Sequence, residues 1–311
     1  YWGVYLNDFM RLMGWNANTN LTFGSFHIDI APIIIVAFFT TLLVFGTKIG
    51  ARVDGAMTVL KIAIVFFVVI VGFFYVKASN FTPFIPPSQP ASTVEGSSAV
   101  TGLMTQPLWQ FATGMTPSVY GVPGILSGAA LVFFAFIGFD VVATASEETK
   151  NPHKNVPIGI GVGMLLIIVM YMLVAVVTTG MVSYADLAKQ DSPSLATAFE
   201  LVGADWAAKI ISFGIVLGLA TVVMVLLLGL TRIVFAMSRD GLLPRGLSKT
   251  GKHGTPAVLQ IVVGVVVALV AALFDIGVLS DMVNIGTLSA FTLVAISIPI
   301  MRKKRPELPR A

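Results

Sequence analysis

Seven long apolar runs, at residues 30–47, 55–76, 121–146, 157–182, 206–237, 256–274 and 278–301, constrain this chain more than any other feature. A helix needs roughly 20 mainly apolar residues to cross about 30 Å of hydrocarbon. In lipid the backbone must satisfy its own hydrogen bonds, which only helices and closed barrels achieve. These runs lack the alternation of a barrel strand. Only 11% of the 311 residues are charged, against about 25% in soluble domains. The pattern therefore predicts an all-α polytopic membrane protein, one membrane domain over residues 1–311, with seven transmembrane helices. Gly, Ala, Ser and Thr recur through the runs, which lets helices approach closely.

Lysine and arginine set the orientation. One set of ends carries Lys48 and Arg52, Lys150 and Lys154, Arg232 to Lys252, and Arg302 to Arg310, fourteen residues in all, while Arg11, Lys77, Lys189 and Lys209 mark the other side and Lys61 lies within a span. The richer side is predicted to be cytoplasmic, which places the C-terminus inside. The basic tail Arg302-Lys303-Lys304-Arg305 abuts a span, so it reads as an anchor at the lipid surface and not as a nucleic-acid site. The opening YWGVYLNDFMRLMGW resembles the outer end of a helix entering a loop, and the chain is expected to be a fragment with spans upstream. Residues 77–120 form an extracellular loop rich in Pro, Ser, Thr and Gly. Such composition buries little apolar surface, so this loop is expected to be a linker, with a flap over the outer mouth as the alternative.

Ionisable groups inside spans are costly and are functional candidates by default. Two readings fit Lys61. It is either a lysine that snorkels to the cytoplasmic headgroups or a buried ammonium that exchanges its proton, since burial disfavours a charged lysine. Asp140 lies in FFAFIGFDVVATASEE, just after Gly138 and among Phe133, Phe134, Phe136 and Phe139. A glycine in a span weakens the helix locally, and interrupted helices expose carbonyls and amides at mid-membrane that bind ammonium and carboxylate groups. The other reading is a carboxylate at a tight helix interface. Glu147 and Glu148 fall near the cytoplasmic end as solvated or loop-paired acids. Asn151-Pro152 is a helix stop, and Pro157 suits the first turn of the next span. Arg232, Arg239 and Asp240 form a cytoplasmic gate or, as their charges favour, a solvated cap.

With no cysteine and three scattered histidines, a metal site is not expected. No Walker, HExxH, GxSxG or Rossmann motif appears, so neither an enzyme nor a cofactor is expected. Nothing in the pattern specifies an oligomeric state.

FFAFIGFDVVATASEETKNPHKNVPIGI resembles the sixth-helix signature of the amino acid–polyamine–organocation (APC) superfamily permeases, specifically the cationic amino acid transporter branch and its bacterial relatives. TRIVFAMSRDGLLP resembles the end of that family's eighth helix, and NIGTLSAFTLVAISI its tenth. The seven spans align with family helices four to ten, and residues 1–15 with the tail of helix three. The resemblance implies a partial LeuT-type inverted-repeat fold and proton-coupled symport of amino acids, cationic ones included, by alternating access in the plasma membrane. Amino acid exchange, polyamine exchange and a non-transporting scaffold are the alternatives. It implies that Phe134, Ala135, Ile137 and Gly138 form the unwound part of helix six, with carbonyls that receive the substrate ammonium and an aromatic that gates the site. It also implies that Asp140 lies beside the side-chain pocket. Lys61 matches the fifth-helix lysine that takes the place of a sodium ion in proton-coupled relatives. The implied partners are an amino acid, a proton and membrane lipid.

Overall fold

The computed structural model describes residues 1–15, 19–23, 26–45, 47–90, 114, 118–139, 149, 151–190, 194–248, 256–274 and 276–305. The chain is all-α apart from two small two-stranded antiparallel sheets. In order, the helices are α1 (Trp2–Leu12), α2 (Ile30–Phe45), α3 (Thr47–Phe73), α4 (Gly121–Val132), α5 (Pro152–Met181), α6 (Tyr184–Ala188), α7 (Leu195–Leu201), α8 (Asp205–Arg239), α9 (Ala257–Leu273) and α10 (Ile276–Lys304). Among the described residues four helical stretches, Gly55–Phe73, Pro152–Met181, Asp205–Arg239 and Met282–Lys304, are long and apolar enough to cross a membrane. Two shorter apolar helices, α2 and α9, accompany them. This is a multi-pass α-helical membrane protein. Side chains such as Leu165, Leu166 and Met172 on α5 and Leu293 and Val294 on α10 stand exposed, as expected where hydrocarbon is the solvent.

Among the described residues, six of the seven expected spans fall on single helices, α2, α3, α5, α8, α9 and α10, and the third is interrupted. Helix α4 stops at Val132, gives way to a 3₁₀ turn at Phe133–Phe136, and reaches Gly138 with φ at +120°. Helix α5 begins at Pro152, earlier than the expected 157, so Pro157 lies inside it. Asn151, at φ +51°, starts this extra turn by accepting from the amides of Lys154 and Asn155 at 3.1 and 3.0 Å.

The chain divides into two compact units. The first comprises Tyr1–Val71, Gly138–Val174 and Leu195–Leu279. Its core is a seam of Ile35, Val36, Phe39 and Leu43 from α2, Met224 and Leu227 from α8, and Leu259 and Val263 from α9. The three- and four-residue spacings place each set on one helix face. Strands Asn20–Phe23 and Phe26–Asp29 pair ahead of α2, and Asp29 caps that helix by accepting from the Ala31 amide at 3.0 Å. The indole of Trp2 donates to the Val216 carbonyl at 3.0 Å, tying α1 to α8. The Arg11 guanidinium meets Glu200 of α7 at 3.3 Å.

The second unit comprises Gly72–Ile137, Ala175–Ser194 and Ser280–Ala311. Here the described part of the predicted linker is a tied strap. The amide of Lys77 and the side-chain amide of Asn80 both donate to the Gly180 carbonyl at 2.8 Å. Strand Gln89–Pro90 pairs with Ser118–Val119, which brings the strap back to the start of α4. Composition alone hid this arrangement, because the strap is held by backbone groups at the end of α5 and not by a core of its own.

Candidate substrate and coupling site

The 3₁₀ turn gathers Phe134, Ala135 and the neighbouring Ile137 within the second unit. Ala135 is exposed and Ile137 half-buried. The ring of Phe133 meets that of Phe291 on α10 edge to face, with centroids 6.1 Å apart. The boundary between the units falls at this turn, between Ile137 and Gly138. A φ of +120° is open to glycine and strained for residues with a side chain. No described residue lies within 4 Å of where a Gly138 Cβ would stand, so among the described residues the requirement for glycine comes from the backbone and not from crowding. Asp140, Glu147 and Glu148 lie outside the described residues.

Lys61 belongs to the first unit. It lies on α3 with Ile64, Val65 and Val68 at helical spacing, half-buried apart from Val68, which is fully buried. The aliphatic stem of Lys61 covers Gly218 of α8, with Cγ and Cε 3.6 Å from the position of a Gly218 Cβ. One turn on, Ile64 packs onto Gly214 so closely that a Cβ there would overlap its Cδ1. Further along, Phe67 meets Trp206 edge to face at 5.8 Å. These pairings run in opposite directions along the two helices, as the charge pattern requires of spans that cross in opposite senses. The Lys61 stem is thus set on a helix partner. The sequence signal for this contact is the Gly214-x-x-x-Gly218 spacing, which permits close helix approach. Thr221, also buried, donates its hydroxyl to the Gly218 carbonyl at 2.8 Å.

At the other end of α8, Arg239 and Asp240 form an exposed ion pair at 3.5 Å. The Ser238 hydroxyl donates to the Pro244 carbonyl at 2.7 Å, and Gly241 takes a φ of +84°. This is the geometry of a helix cap. Among the described residues no cluster of His, Asp and Glu is arranged to hold a metal.

Apolar helices, an interrupted span and a half-buried lysine packed on α8 define a polytopic α-helical membrane protein. The chain belongs to the amino acid permease family, whose model matches residues 4–311. It is 38% identical over its whole length to the branched-chain amino acid permease BcaP of Bacillus subtilis, covering 61% of that protein. It is 38% identical over 88% of its length to the methylthioribose transporter of the same organism, covering 52% of it. It is also 34% identical over 90% of its length to the vacuolar cationic amino acid transporter 4 of Arabidopsis thaliana, covering 42% of it. These relatives are named as permeases and transporters, none as an enzyme.

Proposed function

We propose that this protein moves amino acids across the cytoplasmic membrane by proton-coupled alternating access, with its C-terminus on the cytoplasmic side. The observation that carries the reading is the interruption of a membrane helix at Phe133–Gly138 in a chain of the amino acid permease family. A carbonyl oxygen has two lone pairs, so one engaged in a 3₁₀ turn still accepts from an ammonium. The carbonyls of Phe134, Ala135 and Ile137 receive the substrate ammonium, Gly138 permits the turn, the Phe134 ring gates the site, and Asp140 faces the substrate side chain. Lys61 is the coupling group. Protonated, it supplies the positive charge that a sodium ion supplies elsewhere and holds α3 against α8; deprotonated, it releases that contact. Its stem on Gly218 places it at the contact between α3 and α8 on which this role depends.

Two substrate classes follow from different observations. An acid at Asp140 suits a cationic side chain, whereas the relative named as a branched-chain amino acid permease points to a neutral one. The test is uptake by proteoliposomes containing the product of the complete gene, with labelled leucine and labelled arginine in turn. Unlabelled amino acids and putrescine serve as competitors. Saturable uptake of an amino acid that amino acids suppress supports the proposal. Uptake suppressed by putrescine alone, or uptake equal to that of empty liposomes, overturns it.

A further inference from the structure

The second unit carries an open-sided cavity of about 610 Å³ between the strap, the first two turns of α4 and the end of α5. That volume lies within the range of small-molecule sites. Phe81, Phe84, Tyr120, Tyr184, Pro83 and Pro86 are among the residues that line it. The rings of Tyr120 and Tyr184 meet edge to face at 5.2 Å. Among the described residues that line it there is no Asp, Glu, Lys, Arg or His. The frame is built before any ligand arrives. Asn80 is fixed on Gly180 at 2.8 Å, and Phe81 lies so near Gly180 that a Cβ there would stand 2.8 Å from its ring. The Thr179 hydroxyl is engaged with the Ala175 carbonyl at 2.7 Å. Ser127 differs from these neighbours. Its hydroxyl is buried at the cavity wall and has no hydrogen-bond partner among the described residues. A buried hydroxyl without a partner is a standing cost that a ligand's polar group removes, and one χ1 step between staggered rotamers re-aims it.

We propose that this cavity binds a neutral, aromatic small molecule with one hydrogen-bonding group, which Ser127 receives. Flat rings and prolines stack on aromatic ligands. The described lining residues offer no counter-charge to an ion or a zwitterion taken out of water, so a neutral ligand suits this cavity better than an amino acid does. The preformed frame lowers the ordering cost of binding. At this height, the ends of α4 and α5 on the side lacking the lysine and arginine clusters, interfacial aromatics gather. A compact ligand fits there better than an acyl chain, which belongs deeper.

The experiment measures binding of labelled biphenyl-4-ol to the full protein in nanodiscs, with empty nanodiscs as the blank. Biphenyl and biphenyl-4-carboxylate are run alongside. Biphenyl-4-ol is expected to bind saturably, and the carboxylate at least tenfold more weakly. Ser127→Ala should weaken the alcohol threefold to tenfold, the value of one hydrogen bond, and leave biphenyl unchanged. Gly124→Leu should weaken both at least tenfold, because a Cβ at Gly124 stands 3.7 Å from the Val119 carbonyl carbon and fits, while the rest of the side chain fills the cavity. Binding no greater than in empty nanodiscs overturns the proposal, as does a carboxylate that binds as tightly as the alcohol. So does a Ser127→Ala protein that binds the alcohol as the parent does, or one that loses the alcohol and biphenyl equally.

Discussion

The contact between α3 and α8 makes a quantitative prediction, because two glycines one turn apart on α8 face it differently. Adding a methyl at Gly214 forces it into Ile64, with Cγ1 and Cγ2 of that residue left at 3.1 Å. Adding one at Gly218 meets the Lys61 stem at 3.6–3.9 Å, which is ordinary van der Waals contact. Both substitutions gain the same helix propensity, about 0.8–1.0 kcal/mol. That gain cancels in the comparison and leaves overpacking, about 1–3 kcal/mol. Gly214→Ala is therefore expected to be about 1–3 kcal/mol less stable than Gly218→Ala. Ile64→Ala removes the obstructing atoms, so the double variant Gly214→Ala/Ile64→Ala should be more stable than the sum of its singles by a similar amount. The assay is reversible unfolding of the purified protein in mixed micelles by increasing SDS, followed by tryptophan emission. Trp206, against Phe67 at 5.8 Å, reports on this interface. Equal stability of the two glycine variants, within the roughly 0.3–0.5 kcal/mol of additive behaviour, would refute the packing argument. So would a double variant with no coupling.

Three further outcomes follow. Gly138→Ala has nothing to clash with but must hold a positive φ, at a cost of about 1–2 kcal/mol. The same SDS unfolding reads it, and a stability equal to the parent's contradicts the described turn. Asn80→Ala deletes one of the two hydrogen bonds that seat the strap on Gly180, and limited proteolysis should then cut the strap faster at unchanged global stability. In α6 the Ser183 hydroxyl and the Lys189 ammonium hold Asp186 below the usual carboxylate range. A depressed folded value stabilises α6 above the ordinary range of an aspartate, and this is lost as pH falls through the lowered value. Amide exchange at Tyr184–Ala188, corrected for its intrinsic pH dependence, should lose protection on acidification, and Asp186→Asn should remove the pH dependence.

The membrane spans were legible because hydrocarbon imposes one requirement on every residue of a span, and a continuous apolar run meets it. The break in the third span was only hinted at by Gly138, which weakens a helix without ending it, and its place came from the family resemblance; the turn itself begins at Phe133, where no breaker residue stands. The seat of Lys61 was not read, although Gly214-x-x-x-Gly218 carries it, because a lysine's setting depends on which helix arrives opposite. The strap was misread for a related reason. FTPFIPP has no core-forming pattern, and it is held by the Gly180 carbonyl, 100 residues away from Asn80, which no local composition encodes. The hairpin Asn20–Phe23 with Phe26–Asp29 was passed over because its strands are only four residues each. The roles of Phe134, Ala135, Ile137 and Asp140 rest on the family resemblance joined to the observed turn.

The proposed transport of amino acids is coupled to protons through Lys61. Its most direct test is proteoliposome uptake by the product of the complete gene, driven in turn by an inward proton gradient and an inward sodium gradient, for the parent and for Lys61→Ala. The account predicts that the proton gradient accelerates uptake, that sodium does not, and that Lys61→Ala abolishes gradient-driven uptake. Uptake that follows sodium and is indifferent to Lys61→Ala would contradict it.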